Sequence, residues 1–408
     1  MLAFLKLFNV LFPFPLVGIM QEKLLNFIYA AIAMVWVILF VCWVDALSEY
    51  KKAELLTPNQ FVLALGSVPI LYVVAITIHE AGHWFCGLQL GFIGIQFTVL
   101  WLNIERHGTR WKLRWAKRPA KLNGMVVQYP SGSKQLRLRK FLSVAAGPVA
   151  NWVTGGLALA LAYGLTKPAG VVSGSTQLLI MAEIQVFALI STFMGCFNLL
   201  PKKLRAGLSN DGLLMWRLWR REPSLSRALA VSALLGSSYA GQRPRDWDGT
   251  LLDLATAHTD NTLLDGSAIM LAYSHQLDAN RPVQARPLLY ACLDKLALFT
   301  EEQQQQIWCE VAYFEARHSC NAALAQDALT QAQVAKPFAE GEGNFARAEV
   351  AWASGDYEAA RVHLQQVEAE PLVENENDLG NYMMALDRLA DLRNRLALWP
   401  DQSPRYGK

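Results

Sequence analysis

Over the first half of the chain, long apolar runs alternate with short polar stretches, and the pattern changes after Pro201. Residues 24–44 are nearly all apolar, enough for one helix to cross a hydrocarbon core of roughly 30 Å. Residues 61–90 form a second, overlong run with Pro69 inside it. A third run, 141–165, is rich in small residues (Ala145, Ala146, Gly147, Gly155, Gly156), which lets helices approach closely. The fourth, 178–197, leads into Asn198-Leu199-Leu200-Pro201. Four transmembrane helices are therefore expected.

Between the second and third runs the period shortens. Residues 94–104 are β-branched and aromatic, and Arg110-Trp111-Lys112-Leu113-Arg114-Trp115 alternates strictly between charge and apolar bulk. With 106–109 as the turn, this predicts a membrane-associated β-hairpin whose tryptophans sit at headgroup level. Past residue 222 the chain turns polar and alanine-rich. Residues 223–249, with an Arg-Pro-Arg-Asp-Trp-Asp-Gly stretch, read as a linker. Then Ala272-Tyr273, Ala312-Tyr313 and Ala351-Trp352 recur at intervals of 40 and 39 residues. Each is followed by an Ala-x-x-x-Leu pattern: Ala285/Leu289, Ala325/Leu329 and Ala360/Leu364. Small and aromatic residues at fixed offsets on paired helices predict a soluble all-α solenoid over 250–408. Residues 344–367 resemble a tetratricopeptide repeat, with Gly355-Asp356-Tyr357 at the turn and 379–398 as a closing helix. The expected fold class is an α-helical membrane protein followed by a tetratricopeptide-like solenoid, divided as a membrane domain 1–222, a linker 223–249 and a repeat domain 250–408.

Charge adds an orientation. Residues 1–221 carry 22 Lys and Arg against 8 Asp and Glu, whereas residues 222–408 carry 15 against 26. The cations concentrate in 105–140 and after Pro201, while the connection between the third and fourth runs has only Lys167. The positive-inside rule then places 105–140 and everything past Pro201 in the cytoplasm. The expected location is the bacterial inner (cytoplasmic) membrane. The acidity of the second half argues against a nucleic-acid partner. Six cysteines without a CxxC pair give no disulfide framework, consistent with a reducing compartment for the soluble half. Residues 1–20 read as an interfacial lead-in rather than a signal peptide, because no small-residue cleavage site stands out.

The chemistry centres on His79-Glu80-Ala81-Gly82-His83, inside the second run. Four residues apart on a helix, His79 and His83 share a face and can reach one ion, while Glu80 can touch a water there without ligating. Ionisable groups within a span are costly, which makes this cluster a functional candidate. A catalytic zinc takes three protein ligands and leaves a position open. Asp211 is the best third ligand, although it could instead cap the helix that follows it, a role open also to Ser209 or Asn210. Glu183, near the opposite end of the fourth run, is the rival.

His79-Glu80-Ala81-Gly82-His83, then Ala146-Gly147-Pro148-Val149-Ala150-Asn151, then Asn198-Leu199-Leu200-Pro201 and Asp211-Gly212 stand in an order that resembles the site-2 protease family of intramembrane zinc metalloproteases. The resemblance covers roughly residues 60–220. It implies Zn2+ held by His79, His83 and Asp211, with Glu80 as catalytic base. It implies a substrate cleft lined by Asn198, Gly147, Pro148 and Asn151, with the 94–115 hairpin pairing to an unwound substrate. The implied substrate is a single-span membrane protein or a leftover signal segment, and a protein partner would dock on the repeat domain. In this chain a basic stretch, 202–210, separates Pro201 from Asp211. The competing reading from another class is a catalytically inert membrane scaffold whose repeats recruit partners. A third is an enzyme trimming peptides or lipid-linked substrates at the cytoplasmic face.

Overall fold

Thr57 and Gln60 start the helix that carries the histidines. Each side chain bonds the other's backbone N–H in a capping box, and Pro58 occupies the first turn, where no N–H is needed. The resulting helix α2 (Pro58–Gln89) runs through Pro69 and follows α1 (Val17–Lys52). This computed structural model describes residues 17–107, 110–115, 123–166, 175–203, 209–257, 261–339, 341–369 and 378–399. The lead-in 1–16, the tip 108–109 of the expected hairpin turn and the basic stretch 116–122 lie outside the described residues.

Two more long helices, α3 (Leu136–Thr166) and α4 (Ser175–Leu199), complete a set of four long and apolar enough to cross a membrane. Their outer faces expose large apolar side chains such as Val62, Leu63, Ile70, Leu157 and Leu161, as lipid-facing surfaces do. The inner faces meet through small residues. A Cβ on Gly82 would lie 2.6 Å from the Ala146 carbonyl oxygen, so α2 and α3 are closer than any larger residue allows. Glu183 lies away from the histidines, with the Ser67 hydroxyl donating to it at 2.5 Å.

The β element is larger than a hairpin. Strands β1 (Phe92–Val99), β2 (Leu102–His107), β3 (Arg110–Trp115) and β4 (Gly124–Pro130) form an antiparallel sheet in the order β3-β2-β1-β4. The expected single strand over 94–104 breaks into β1 and β2, because Leu100 takes a left-handed conformation (φ 51°) and reverses the chain. Arg106 and His107, expected in the turn, belong to β2 and pair with Trp111 and Arg110. Strand β3 is an exposed edge, with Trp115 stacked on Trp101 at 6.5 Å. The other edge, β4, lies beside the helix bundle and contacts α2.

The stretch 223–249, expected as a linker, is packed helix rather than connecting coil. It forms α6 (Pro223–Tyr239), preceded by α5 (Asp211–Trp219), and a short 3-10 turn at Pro244–Asp246. Helix α6 buries Leu229, Val231 and Leu234 against Trp247 and against Leu251 and Leu252 of α7 (Gly249–Thr256). Its C-terminal end rests on β4, where Tyr239 meets Tyr129 at 5.5 Å. The motif that read as a turn in sequence thus sits under a hydrophobic core that joins the two halves.

The remaining helices are α8 (Leu263–Asp278), α9 (Pro282–Leu293), α10 (Glu301–Arg317), α11 (Ala322–Ala335), α12 (Asn344–Ala353), α13 (Tyr357–Ala369) and α14 (Leu379–Leu398). Helices α8 with α9, α10 with α11, and α12 with α13 pack as pairs. Repeat positions supply their cores: Tyr273, Ala285, Leu289, Ala312, Ala325 and Leu329 in one cluster, Ala360 and Leu364 in the next. Helix α14 inserts Leu389, Leu392 and Leu396 into the last cluster and pairs Arg388 with Glu310 at 2.8 Å and Arg395 with Glu349 at 2.6 Å. Truncating the fully buried Leu392 to Ala would cost about 2–5 kcal/mol.

Burial of His318, reinforced by the Arg317 and Arg388 guanidiniums, pushes its pKa down to about 4. A histidine held below its unfolded value of about 6.5 stays neutral in the fold and charges on unfolding. Its contribution is therefore complete above pH ~6.5 and is lost as pH falls toward 4, by about 1–2 kcal/mol once its partial exposure is allowed for. Thermal melts of the helical half should fall several degrees between pH 7 and pH 5 in wild type and stay flat in His318→Gln. An equal fall in both would assign the effect to other groups.

Candidate metal centre and cleft

Three donors from two distant parts of the chain meet on one side of α2. His79 Nε2 lies 3.0 Å from Asp211 Oδ2, His83 Nε2 lies 3.5 Å from the same oxygen, and the two Nε2 atoms are 3.2 Å apart. The ligand atoms fall within 4.8 Å of one another, the only such group among the described residues. Two imidazoles and a carboxylate suit zinc chemically, and three protein donors leave a fourth position for water or substrate. Burial alone would raise the Asp211 carboxyl. The hydrogen-bonding imidazoles of His79 and His83 outweigh it and hold the group well below the usual carboxylate range, so it is ionised.

Each histidine is held from behind. His83 Nδ1 donates to the Ser143 carbonyl at 2.8 Å, which leaves Nε2 as the acceptor that an ion requires. His79 Nδ1 lies 3.3 Å from the amide of Asn151, a fully buried side chain on α3. Asn151 is itself held by Ser191 of α4, whose hydroxyl donates to the Asn151 carbonyl at 3.0 Å. With His79 Nε2 turned to an ion, Nδ1–H must donate, and the Asn151 amide can receive it through oxygen by turning over.

Asn210 explains how the long step from Pro201 still delivers Asp211. Its Oδ1 caps α5 by accepting from Leu213 N at 3.1 Å and also accepts from Lys202 N at 2.9 Å. Its Nδ2 donates to the Asn198 carbonyl at 3.2 Å and the Leu200 carbonyl at 2.6 Å. Lys203 and Ser209 form a bridge that brings the two ends of the step together. The two ends of the step thus lie side by side, and the cap falls to Asn210, which frees the Asp211 carboxylate for the histidines. Residues 204–208 lie outside the described residues.

The expected site residues divide by location. His79, Glu80, His83, Asp211 and Asn198 line one cleft of about 510 Å³. Asn198 reaches His79 Nε2 at 3.5 Å. Gly147 backs the centre: a Cβ there would collide with His83 Nε2 and lie 2.9 Å from His79 Nε2. Asn151 stands behind His79 rather than in the cleft. Pro148 is not among the cleft residues, and its carbonyl faces Gly195 of α4. The 94–115 hairpin, expected beside the substrate, is replaced in that place by β4. Asn123, Gly124, Met125, Val126 and Gln128 line the cleft, and Gly124 abuts the Glu80 carboxylate. A signal for β4 was present in the sequence: Met125-Val126-Val127 lies between Asn123-Gly124 and Pro130-Ser131-Gly132, turn residues that bound a strand. Ser143 acts through its backbone, which no side-chain pattern reveals.

Gly147 offers a test of the geometry alone. Gly147→Ala should leave the helices assembled, since one methyl is added, but weaken metal binding at least about 10-fold by crowding both imidazoles. Competition with a chromogenic chelator measures this. Unchanged affinity would mean that the imidazoles do not hold the ion where they now converge.

Set against known proteins, the chain matches no family model, no curated protein and no solved structure.

Proposed function

We propose that the chain is an intramembrane metalloprotease of the site-2 type, hydrolysing a peptide bond in or near the transmembrane segment of a membrane protein. The observation that carries this reading is the convergence of His79, His83 and Asp211 on one point, with Glu80 in the same cleft and not in the ligand set. A structural metal site has no use for such a carboxylate. Zinc fits the donor set and, when bound, supplies a Lewis acid that polarises a carbonyl and brings water toward neutral acidity.

The chain's own residues then do the rest. Ser143 and Asn151 fix the two imidazoles. Glu80 takes a proton from the attacking water and returns it to the leaving amine. Asn198 stands where it can hydrogen-bond the substrate carbonyl or the charge that develops on it. A helical substrate hides its carbonyls in its own hydrogen bonds, so it must unwind near the cut. Strand β4 is a sheet edge that borders the cleft, and pairing with it would offset the lost bonds by strand addition. Tyr72, Ile76, Phe193 and Phe197 give the cleft apolar walls suited to a membrane segment.

Four apolar helices and the charge pattern support a multi-pass membrane protein with its helical half in the cytoplasm, and the location we propose is the bacterial inner membrane. The paired helices α8 to α13 support a tetratricopeptide-like array that recruits a protein partner or substrate. The test is a comparison of membrane proteomes in cells carrying wild type or Glu80→Gln. A single-span protein or signal-segment remnant should accumulate with Glu80→Gln and its cleaved product should vanish. Identical membrane proteomes would leave the inert scaffold standing instead.

A further inference from the structure

The first turns of α3 present two adjacent cations with different fates. Arg139 is saturated: its Nε donates to the Leu90 carbonyl at 2.8 Å and its Nη1 to the Ser131 carbonyl at 3.0 Å, with longer bonds to Lys134 and Gly91. It clamps the end of α2 to the sheet. Lys140 points elsewhere. It lines the cleft together with Glu80, Ser143 and Asp211, and its Nζ lies 5.8 Å from the centre of the Phe92 ring. Among the described residues no carboxylate oxygen stands within 4.0 Å of it. A cation inside a span-bordered cleft is costly to keep without a counter-ion, and such residues commonly serve a bound molecule.

The charge balance points to what that molecule carries. Of a divalent cation's two charges, Asp211 in the donor set offsets one and Glu80 at most the other, so Lys140 leaves the cleft with at least one positive charge in excess. From this geometry we infer that Lys140 is a specificity residue that pairs with a carboxylate on the membrane segment occupying the cleft. The inference rests on the cleft being the substrate site. The carboxylate can be an Asp or Glu side chain, or the free C-terminus of a segment left by an earlier cut. Both present the same acceptor pair to an ammonium, and both are charge-assisted contacts strong enough to rank substrates.

Affinity measured without turnover separates this claim from the protease reading. The full chain bearing Glu80→Gln, zinc-loaded in lipid nanodiscs, would be titrated with fluorescent single-span peptides of one sequence. In the series a single Glu is stepped along the segment, with Gln and Lys controls at each step. An amidated Gln peptide is compared with its free-acid form. At one register, or for the free acid, binding should be roughly 10-fold or more tighter than for the neutral control. In Glu80→Gln/Lys140→Glu the order should invert, the Lys peptide binding best, with zinc content unchanged. A Glu effect confined to one register identifies the side chain, and an effect of the free acid alone identifies the C-terminus. If Glu80→Gln/Lys140→Glu keeps the order found with Glu80→Gln alone, or if no peptide's charge affects binding, the inference is overturned. Cleavage by the Glu80-containing chain is scored separately, so its failure would count against the protease reading and not against Lys140.

Discussion

Asp211→Ala is expected to strip the metal from the purified chain and, with it, all cleavage. Asp211 is the only carboxylate in the converging group, and it arrives from the end of α4 and the start of α5, far in sequence from the histidines. Its removal leaves two imidazoles, too few donors for a tight catalytic site. The loss should exceed the roughly 10–100-fold that removing an outer hydrogen-bond partner costs in metal affinity. Elemental analysis after dialysis against a weak chelator decides it, with wild type near one equivalent and Asp211→Ala near none. The fold should survive, because Asn210 and not Asp211 supplies the cap of α5. If Asp211→Ala kept a full equivalent and full activity, the third ligand would lie elsewhere. Glu183 could not easily replace it, held as it is by Ser67.

Glu80→Gln should behave in the opposite way, keeping the metal and losing the chemistry. Gln matches Glu in size, and Glu80 contributes no donor to the converging group. The amide cannot accept and return a proton, and loss of a general base costs typically about 10²–10⁴-fold in rate. Single-turnover cleavage of a peptide span, alongside zinc content, separates the two effects. Cleavage at the wild-type rate with zinc in place would remove Glu80 from the reaction.

These two residues also show what the sequence could and could not disclose. The i, i+4 spacing of His79 and His83 and the flanking Glu80 were readable because helix periodicity fixes which side chains share a face. Asp211 stands out as a third ligand from its residue type and its place before an apolar helical run. The physical cause of its joining the histidines, the double role of Asn210 in capping α5 and gathering the Asn198 and Leu200 carbonyls, is a tertiary arrangement that no local pattern encodes. The sheet failed for a related reason. The alternation in Arg110 to Trp115 identified β3 correctly, but the break at Leu100 depends on one left-handed residue, and β-branched runs look alike on either side of a turn. Strand β4 lies outside the expected hairpin, and it is the strand that meets the cleft. Residues 223–249 misled because Pro, Gly and charge dominate one end of them. The apolar face of α6, with Leu229, Ala230, Ala233 and Leu234, was the better signal. In sequence Lys140 is one positive charge among many between the second and third apolar runs.

The proposed reaction is hydrolysis of peptide bonds in membrane segments at the centre formed by His79, His83 and Asp211. It is tested most directly by mass spectrometry of a single-span peptide incubated with the purified full chain in liposomes, first after chelation and then after zinc is restored. The expected result is an intact peptide after chelation and two new fragments, cut within or beside the span, once zinc returns. Cleavage that persists after chelation, or a zinc-loaded chain that leaves a broad panel of spans intact, would contradict it.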